Sequence, residues 1–311
     1  MRRNAGVLWI PTLLAVLFGA AFLTNYEPDL PFADLRAKYA NETSRFASVQ
    51  GMQVHYRSEG SGRTLLLLHG AGSSLHSWDR WIESMKYDFR VIRIDLPGHG
   101  LTGPMPRGDY RVGAYVEFLE EFISGLGNEP LALAGHGFGG QIAWNYALRF
   151  PARVDKLILL SASGYPRPSA EPAPLSGIAR IPGVRWLASV MTTRSQTANA
   201  LRASFGDEGF VTDTLIDRHH ELSRRPGNRQ AAMQRAAAAA DDLNGDHRQI
   251  QQPTLILWGM QDRRAPLTDA RGFADDIDGA RLITYPGIGH LLHEELPGQS
   301  ARTALTFLRD R

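Results

Sequence analysis

The chain has 311 residues, of which 43% are hydrophobic and 21% are charged, and it contains no cysteine. This composition is globular and allows one large core, with or without a small second domain. The formal net charge is +2 and basic residues form no long run, so we expect no nucleic acid partner. The lack of cysteine excludes disulfides, thiolate metal sites and a cysteine nucleophile.

The N-terminus predicts a membrane anchor. The charge-free segment 5–25 follows Arg2 and Arg3, and its apolar centre spans about 25 Å of a hydrocarbon core that is roughly 30 Å thick. Because arginines precede the segment and Glu27 follows it, the positive-inside rule puts the rest of the chain on the extracytoplasmic side, of the inner membrane in a bacterium. A cleaved signal peptide and a buried cytosolic helix are the alternatives.

After a tether, apolar runs alternate with helix-like segments. Residues 46–50 and 52–57 alternate in hydropathy around Gly51 and predict a hairpin. Short continuous apolar runs follow, which are typical of strands buried on both faces of a parallel sheet. Because helices separate them, we predict a doubly wound, mostly parallel sheet of the α/β class. The runs are at 64–68, 91–95, 131–134, 157–160, 253–258 and 280–285.

Between residues 165 and 248 this alternation stops. Prolines lead into helix-compatible segments, including the alanine-rich 230–242, and scattered large apolar residues require burial. We therefore predict a helical cap over the sheet rather than a disordered linker. The predicted divisions are an anchor or signal segment at 1–25, a tether at 26–45, a core at 46–164 and 249–311, and the cap at 165–248.

The segment Leu131 to Gly140 combines a strand, a sharp turn and the start of a helix. In the nucleophile elbow, G-x-S-x-G, such a turn lifts a serine hydroxyl above the end of a parallel sheet. Gly135 and Gly139 match the flanking positions, but Gly137 occupies the position of the serine. The turn is therefore expected without its nucleophile.

Two further side chains follow strands later in the chain. Asp262 comes just beyond the strand at 253–258, and His290 comes just beyond the strand at 280–285. Open α/β sheets place their sites at such strand ends. The order of elbow, acid and histidine is that of the α/β-hydrolases.

Taken together, these motifs resemble the α/β-hydrolase superfamily, in its capped branch of esterases, lipase-like enzymes, haloperoxidase-like proteins and C–C bond hydrolases. The resemblance covers about 46–311. The motifs that carry it, besides the elbow, are His69-Gly70-Ala71-Gly72, Asp95-Leu-Pro-Gly-His-Gly100, Gly259-x-x-Asp262 with Pro266, and Gly289-His290.

The resemblance implies a role for each matching residue. Asp262 would orient His290, which would act as general base, and the N–H groups of Ala71 and Phe138 would form an oxyanion hole. Substrate contacts are implied for His69, Gly70, Gly72 and His136, with His136 also shaping the elbow. Asp95 and His99 are expected to hold their loop.

The expected ligand is a small or medium apolar ester-like or carbonyl compound, because alanine, valine and leucine of the cap make apolar walls. No metal, cofactor or protein partner is implied, since the other histidines follow no metal-ligand spacing. The arginines of the cap are interpreted as a solvated face, with attraction of an anionic substrate as the alternative.

Three explanations of Gly137 stay open. The chain is a hydrolase whose serine has been replaced, or an enzyme that uses His290 on water or substrate without a covalent nucleophile, or a binding protein. Ser73 and Ser74 are interpreted as helix-capping residues rather than substitute nucleophiles. The presence of Asp262 beside the other motifs favours the first two explanations.

Overall fold

A computed structural model describes residues 24–165, 192–238 and 245–310, together with residues 19, 22 and 190. No helix in these ranges is long and apolar enough to cross a membrane. Nearly all of the anchor predicted at 5–25 lies outside the described residues, as do the proline-rich start of the cap and residues 239–244.

Eight strands form one sheet, in the order β1-β2-β4-β3-β5-β6-β7-β8. The hairpin of β1 and β2 is antiparallel, β2 also pairs antiparallel with β4, and all other pairs are parallel. The mostly parallel α/β sheet predicted from the sequence is thereby confirmed. The strands are β1 Ser44–Val49, β2 Met52–Glu59, β3 Thr64–Leu68, β4 Arg90–Ile94, β5 Leu131–His136, β6 Val154–Leu160, β7 Thr254–Gly259 and β8 Arg281–Tyr285.

Helices cover both faces of this sheet. A short 3₁₀ turn at Leu75–Trp78 leads into the helix that begins at Asp79. The helices are α1 Phe32–Tyr39, α2 Asp79–Met85, α3 Val112–Ser124, α4 Phe138–Arg149, α5 Arg194–Arg202, α6 Asp213–Ser223, α7 Asn228–Ala238, α8 Leu267–Asp276, α9 Leu292–Glu295 and α10 Pro297–Arg309.

The leucine run of β3 shows why the core has two layers. Side chains of a strand alternate between its faces, so Leu66 and Leu68 pack with the layer of α3, α4 and α8, while Leu65 and Leu67 pack with α2 and α10. All four leucines are fully buried. Each such burial stabilises the fold by about 1.5–3 kcal/mol, which explains why the run has no polar position.

The described part of the segment predicted as a cap contains the helices α5, α6 and α7. A capping box begins α5, in which Thr193 and Gln196 satisfy each other's backbone N–H groups. Apolar residues of α5 and α6, including Leu201 and Ile216, form a small core of their own with Phe205. The tether contains α1, and β1 begins at Ser44, so the boundary predicted after residue 45 falls inside this strand.

Candidate active site

Asp262 and His290 lie in contact beyond the ends of β7 and β8. Asp262 Oδ2 is 2.8 Å from His290 Nδ1, and Asp262 Oδ1 accepts the N–H groups of Arg264 and Ala265, each at 2.8 Å. Burial alone would raise the pKa of Asp262, but its interactions with His290 and these backbone hydrogen bonds outweigh that effect, so its pKa is lowered. The ionised Asp262 accepts the Nδ1–H of His290, and in the neutral form of the ring this tautomer leaves the lone pair on Nε2.

Gly137 faces the Nε2 atom of His290. A Cβ built on Gly137 would lie 3.4 Å from His290 Nε2 and 3.8 Å from the Cα of Gly70, both ordinary contact distances. The backbone of Gly137 has φ 53° and ψ −115°. L-residues that carry a side chain rarely adopt this backbone conformation, whereas glycine adopts it without strain. The turn thus has the shape of a nucleophile elbow, and His290 is aimed at the position of the missing side chain.

The two predicted oxyanion donors lie in backbone positions suited to donation. Phe138 is the first residue of α4, so its N–H has no carbonyl one turn earlier in the helix to bond. Ala71 is exposed at the tip of the loop after β3, where Ser73 N donates to the Gly70 carbonyl over 3.2 Å. Their role in stabilising an oxyanion stays a prediction.

His69 and His136 were expected to contact substrate, but both rings lie in the interior. His69 Nδ1 donates to the carbonyl of Gly70 over 2.8 Å, and its Nε2 accepts the N–H of Leu96 over 3.0 Å. His136 Nε2 donates to the carbonyl of His290 over 3.0 Å. Burial lowers the pKa of His136 well below its ordinary value, so this ring is neutral. These rings fix the loops, and contact with a ligand at these residues would involve their backbone.

The turn after helix α5 of the cap holds the histidine loop. The carbonyl of Ser204 accepts the N–H of His290 over 2.7 Å. Ser204 Oγ accepts the Nε–H of Arg264 over 2.6 Å, and another guanidinium N–H of Arg264 donates to the carbonyl of Ala200 over 2.8 Å. The turn after α5 therefore contacts both the Asp262 loop and the His290 loop.

Glu295 adds a second connection that sequence reasoning missed. Its side chain is buried and accepts three backbone N–H groups, from Gly289 at 2.8 Å, Asp207 at 2.9 Å and Gly206 at 3.1 Å. A carboxylate that accepts several backbone hydrogen bonds is held firmly in place. The only signal in the sequence was a glutamate shortly after the predicted histidine loop.

A cavity of about 340 Å³ lies between the oxyanion loop and the cap. Gly72 lines it on the core side, while Leu222, Met233 and other residues of α6 and α7 line it on the cap side. Its lining residues do not include Gly137 or His290. Gly72 joins the loop after β3 to the cap, because its carbonyl accepts the Nδ1–H of His219 over 3.0 Å.

The exposed surface of the cavity walls is mostly apolar, and several polar side chains lie among the apolar groups. Several buried polar atoms of its lining have no hydrogen-bond partner within the part of the chain that the structure describes. Buried polar groups are nearly always paired in native proteins, so this concentration of unpaired groups indicates a place for a polar ligand or ordered water. The atoms are Ser73 Oγ, His99 Nε2, His219 Nε2, Asn228 Oδ1 and Arg229 Nη1.

Four arginines of the cap form ion pairs, at the surface for Arg194 and in a buried position for Arg229, whereas Arg202 is exposed. The pairs are Arg194 with Asp213 and Asp217, Arg218 with Glu294, Arg224 with Glu27, and Arg229 with Asp29. Two of these acidic partners belong to the tether, which therefore packs against the cap. The described residues contain no group of three or more side chains suited to a metal ion.

Comparisons with known proteins agree with this geometry. A family model described as alpha/beta hydrolase fold matches residues 63–200. An uncharacterized protein from Mycobacterium tuberculosis is 30% identical over 278 residues, which cover 84% of this chain and 79% of the relative.

The similar proteins also include named hydrolases. A 2-hydroxy-6-oxo-6-phenylhexa-2,4-dienoate hydrolase from Comamonas testosteroni is 27% identical over 282 residues, covering 86% of this chain and 97% of the relative. The solved structure of a meta-cleavage product hydrolase from Pseudomonas fluorescens is 25% identical with a TM-score of 0.74, and the match covers 85% of this chain and 97% of that one.

Proposed function

We propose that this chain, which belongs to the α/β-hydrolase family, binds a small or medium-sized carbonyl compound at a hydrolase site that keeps its acid–base pair and lacks its covalent nucleophile. The carrying observation is that a Cβ on Gly137 would lie 3.4 Å from His290 Nε2. Removing the nucleophile of such a site costs about 10⁶ in turnover. The protein is therefore impaired or inactive in covalent acyl transfer at the elbow.

The second candidate is hydrolysis or proton transfer without a covalent intermediate. His290 Nε2 has no serine hydroxyl to accept, and its Nδ1 is fixed by Asp262 at 2.8 Å. An imidazole in this state is suited to remove a proton from water or from a carbon next to a carbonyl group. The oxyanion hole expected at Ala71 and Phe138 would stabilise the charge that develops on the carbonyl oxygen.

The relatives suggest a substrate class. The Comamonas testosteroni relative is a hydrolase of a dienoate that carries a ketone and a carboxylate. In the cavity of this chain, Arg229 Nη1 is a donor, and Ser73 Oγ can donate as well. Arg229 is already paired with Asp29 over 2.6 Å, so the relatives are the main support for extending the expected ligand to keto acids of this class.

The test compares four proteins side by side: the chain as given, Gly137→Ser, His290→Ala, and the double variant. Hydrolysis is followed with 2-hydroxy-6-oxo-6-phenylhexa-2,4-dienoate. We expect the given chain to be silent and Gly137→Ser to turn over in a manner that depends on His290. Activity of the given chain that is lost in His290→Ala would favour the second candidate. Silence of all four, with binding of the dienoate retained, would favour a binding protein.

Attachment to a membrane through residues 1–25, with the remaining chain on the extracytoplasmic side, is part of this proposal. It rests on the charge-free segment 5–25 and on the paired arginines that precede it. Expression with a C-terminal tag, followed by membrane fractionation and protease treatment of intact spheroplasts, tests it. Recovery of the full-length chain in the soluble cytoplasmic fraction would contradict it.

A further inference from the structure

Away from the elbow, hydrogen bonds connect a serine, a histidine and an aspartate. Ser44 Oγ is 2.9 Å from His55 Nε2, and His55 Nδ1 is 2.7 Å from Asp95 Oδ2. Ser44 begins β1, His55 lies on the adjacent strand β2, and Asp95 follows β4. Serine triads are recognised by such geometry and not by their order in the sequence.

The hydrogen bonds around Asp95 fix the direction of proton transfer. Its carboxylate is buried and also accepts the N–H groups of Leu75 and Leu101, each at 2.8 Å. Burial would raise the pKa of Asp95, but the hydrogen bond and charge of His55 outweigh that effect and lower it. When the ionised carboxylate accepts the Nδ1–H of a neutral His55, Nε2 can accept the hydroxyl proton of Ser44 over 2.9 Å; Asn41 Oδ1, at 3.5 Å, is a longer alternative acceptor.

Two further donors point at the same hydroxyl oxygen. The backbone N–H of Asn41 lies 3.1 Å from Ser44 Oγ, and Arg57 Nε lies 3.3 Å from it. Both interactions strengthen as negative charge develops on the oxygen, because hydrogen bonds to ionised groups are stronger than neutral ones. Ser44 is partly exposed, whereas His55 and Asp95 are fully buried. The arrangement thus presents one activated hydroxyl at the surface.

An open groove of about 500 Å³ lies along α1 and does not include Ser44 itself in its lining. It is lined by Phe32, Ala33, Arg36, Ala37, Ala40 and Asn41. Asn41 is the direct link, since its N–H donates to Ser44 Oγ. Phe46 also connects the groove to His55. The Arg36 guanidinium lies 5.1 Å from the ring centre of Phe46, and the Phe46 ring stacks on His55 with 5.1 Å between ring centres. The apolar lining fits a short acyl chain.

We propose that Ser44 is a second nucleophilic site, which accepts the acyl group of small activated esters. Ser44 Oγ bonds to the carbonyl carbon while the bond from that carbon to the leaving oxygen breaks. The hydroxyl proton passes to His55 Nε2 and then to the leaving group. A water molecule, deprotonated by His55, next attacks the acyl carbon, and Ser44 recovers its proton as the acyl bond breaks. This site does not depend on Gly137 or His290.

The test labels the full chain with a fluorophosphonate and locates the adduct by peptide mass spectrometry. We expect an adduct on Ser44 that persists in His290→Ala and is missing in Ser44→Ala. Gly137→Ser is the positive control, because it places a hydroxyl beside His290. Absence of the Ser44 adduct while Gly137→Ser is labelled at residue 137 would overturn the proposal.

If the probe labels neither site, a comparison of two cysteine variants decides between the outcomes. The chain has no cysteine, so Ser44→Cys and the matched variant Ser48→Cys each carry a single thiol on strand β1. A thiolate stabilised by His55 reacts faster, so we expect iodoacetamide at neutral pH to alkylate Ser44→Cys about tenfold faster, the effect of roughly one pKa unit. Equal rates for the two variants would overturn the proposal.

Discussion

The backbone N–H of His290 donates to the carbonyl oxygen of Ser204 over 2.7 Å, which joins the histidine of the hydrolase site directly to the end of a cap helix. Ser204 also contacts Arg264, the second residue after Asp262. In this protein the cap is therefore part of the support of the dyad, in addition to covering the cavity. A change in the position of the cap would move His290 relative to Gly137.

Glu295 gives a direct test of this support. Replacing it with alanine leaves the N–H groups of Gly289, Gly206 and Asp207 without their acceptor. Of these residues Gly289 is buried, and an unpaired buried donor costs about 1–3 kcal/mol. We expect Glu295→Ala to lower the free energy of unfolding by about 1–3 kcal/mol. Glu295→Gln keeps one acceptor oxygen and should lose less. Denaturant unfolding measures both.

Glu83 supplies the matched control, since it is exposed on α2. Glu83→Ala should stay within about 0.5 kcal/mol of the parent chain, as surface substitutions usually do. A loss for Glu295→Ala no larger than that for Glu83→Ala would mean that the connection between cap and histidine loop has no energetic weight.

Gly137→Ser should fold, at a modest cost. The new Cβ meets His290 Nε2 at an ordinary contact distance of 3.4 Å, so the cost comes from the backbone, whose φ is 53°. A residue with a side chain pays about 1–3 kcal/mol for such a conformation. We expect the free energy of unfolding to fall by that amount, as measured with urea.

Gly113 is the comparison for this effect. It lies in α3 in a conformation without positive φ, and a Cβ there would meet nothing within 4 Å. Gly113→Ser should therefore be neutral or slightly stabilising, since serine has a higher helix propensity than glycine. If both serine variants had equal stability, backbone strain would not explain why a glycine occupies position 137.

Asp262 should make stability depend on acid pH. Its folded pKa is lowered, while an unfolded aspartate titrates near pH 3.9. The stabilising contribution is complete above the unfolded pKa and is lost as pH falls through the folded pKa. We therefore expect the stability difference between the parent chain and Asp262→Asn to be largest near pH 6 and to shrink steadily below about pH 4. A difference that stays constant over this range would contradict the assignment of an ionised Asp262.

The sequence predicted the parts of the site that follow strand ends and missed the parts made by distant contacts. Asp262 and His290 could be placed because parallel strands end at one edge of the sheet. Glu295 could not, because its partner Gly206 is 89 residues away in the sequence. The motif around His69 indicated a loop near the substrate, but the burial of its ring depends on Leu96, which another strand brings to it.

The cavity beneath the cap can be tested without any assumption about catalysis. Ala232 lies on α7 and lines this cavity, so a tryptophan there would occupy the space of about 340 Å³ that a ligand needs. We expect the dienoate to raise the melting temperature of the parent chain, because a ligand that binds only the folded state stabilises it by about 2.7 kcal/mol at 100 times its dissociation constant. Ala232→Trp should fold and lose this shift. Ala236→Trp, at an exposed position of the same helix, should keep it. An equal shift in both variants would place the binding site elsewhere, since tryptophan at residue 232 cannot share the cavity with a ligand of that size.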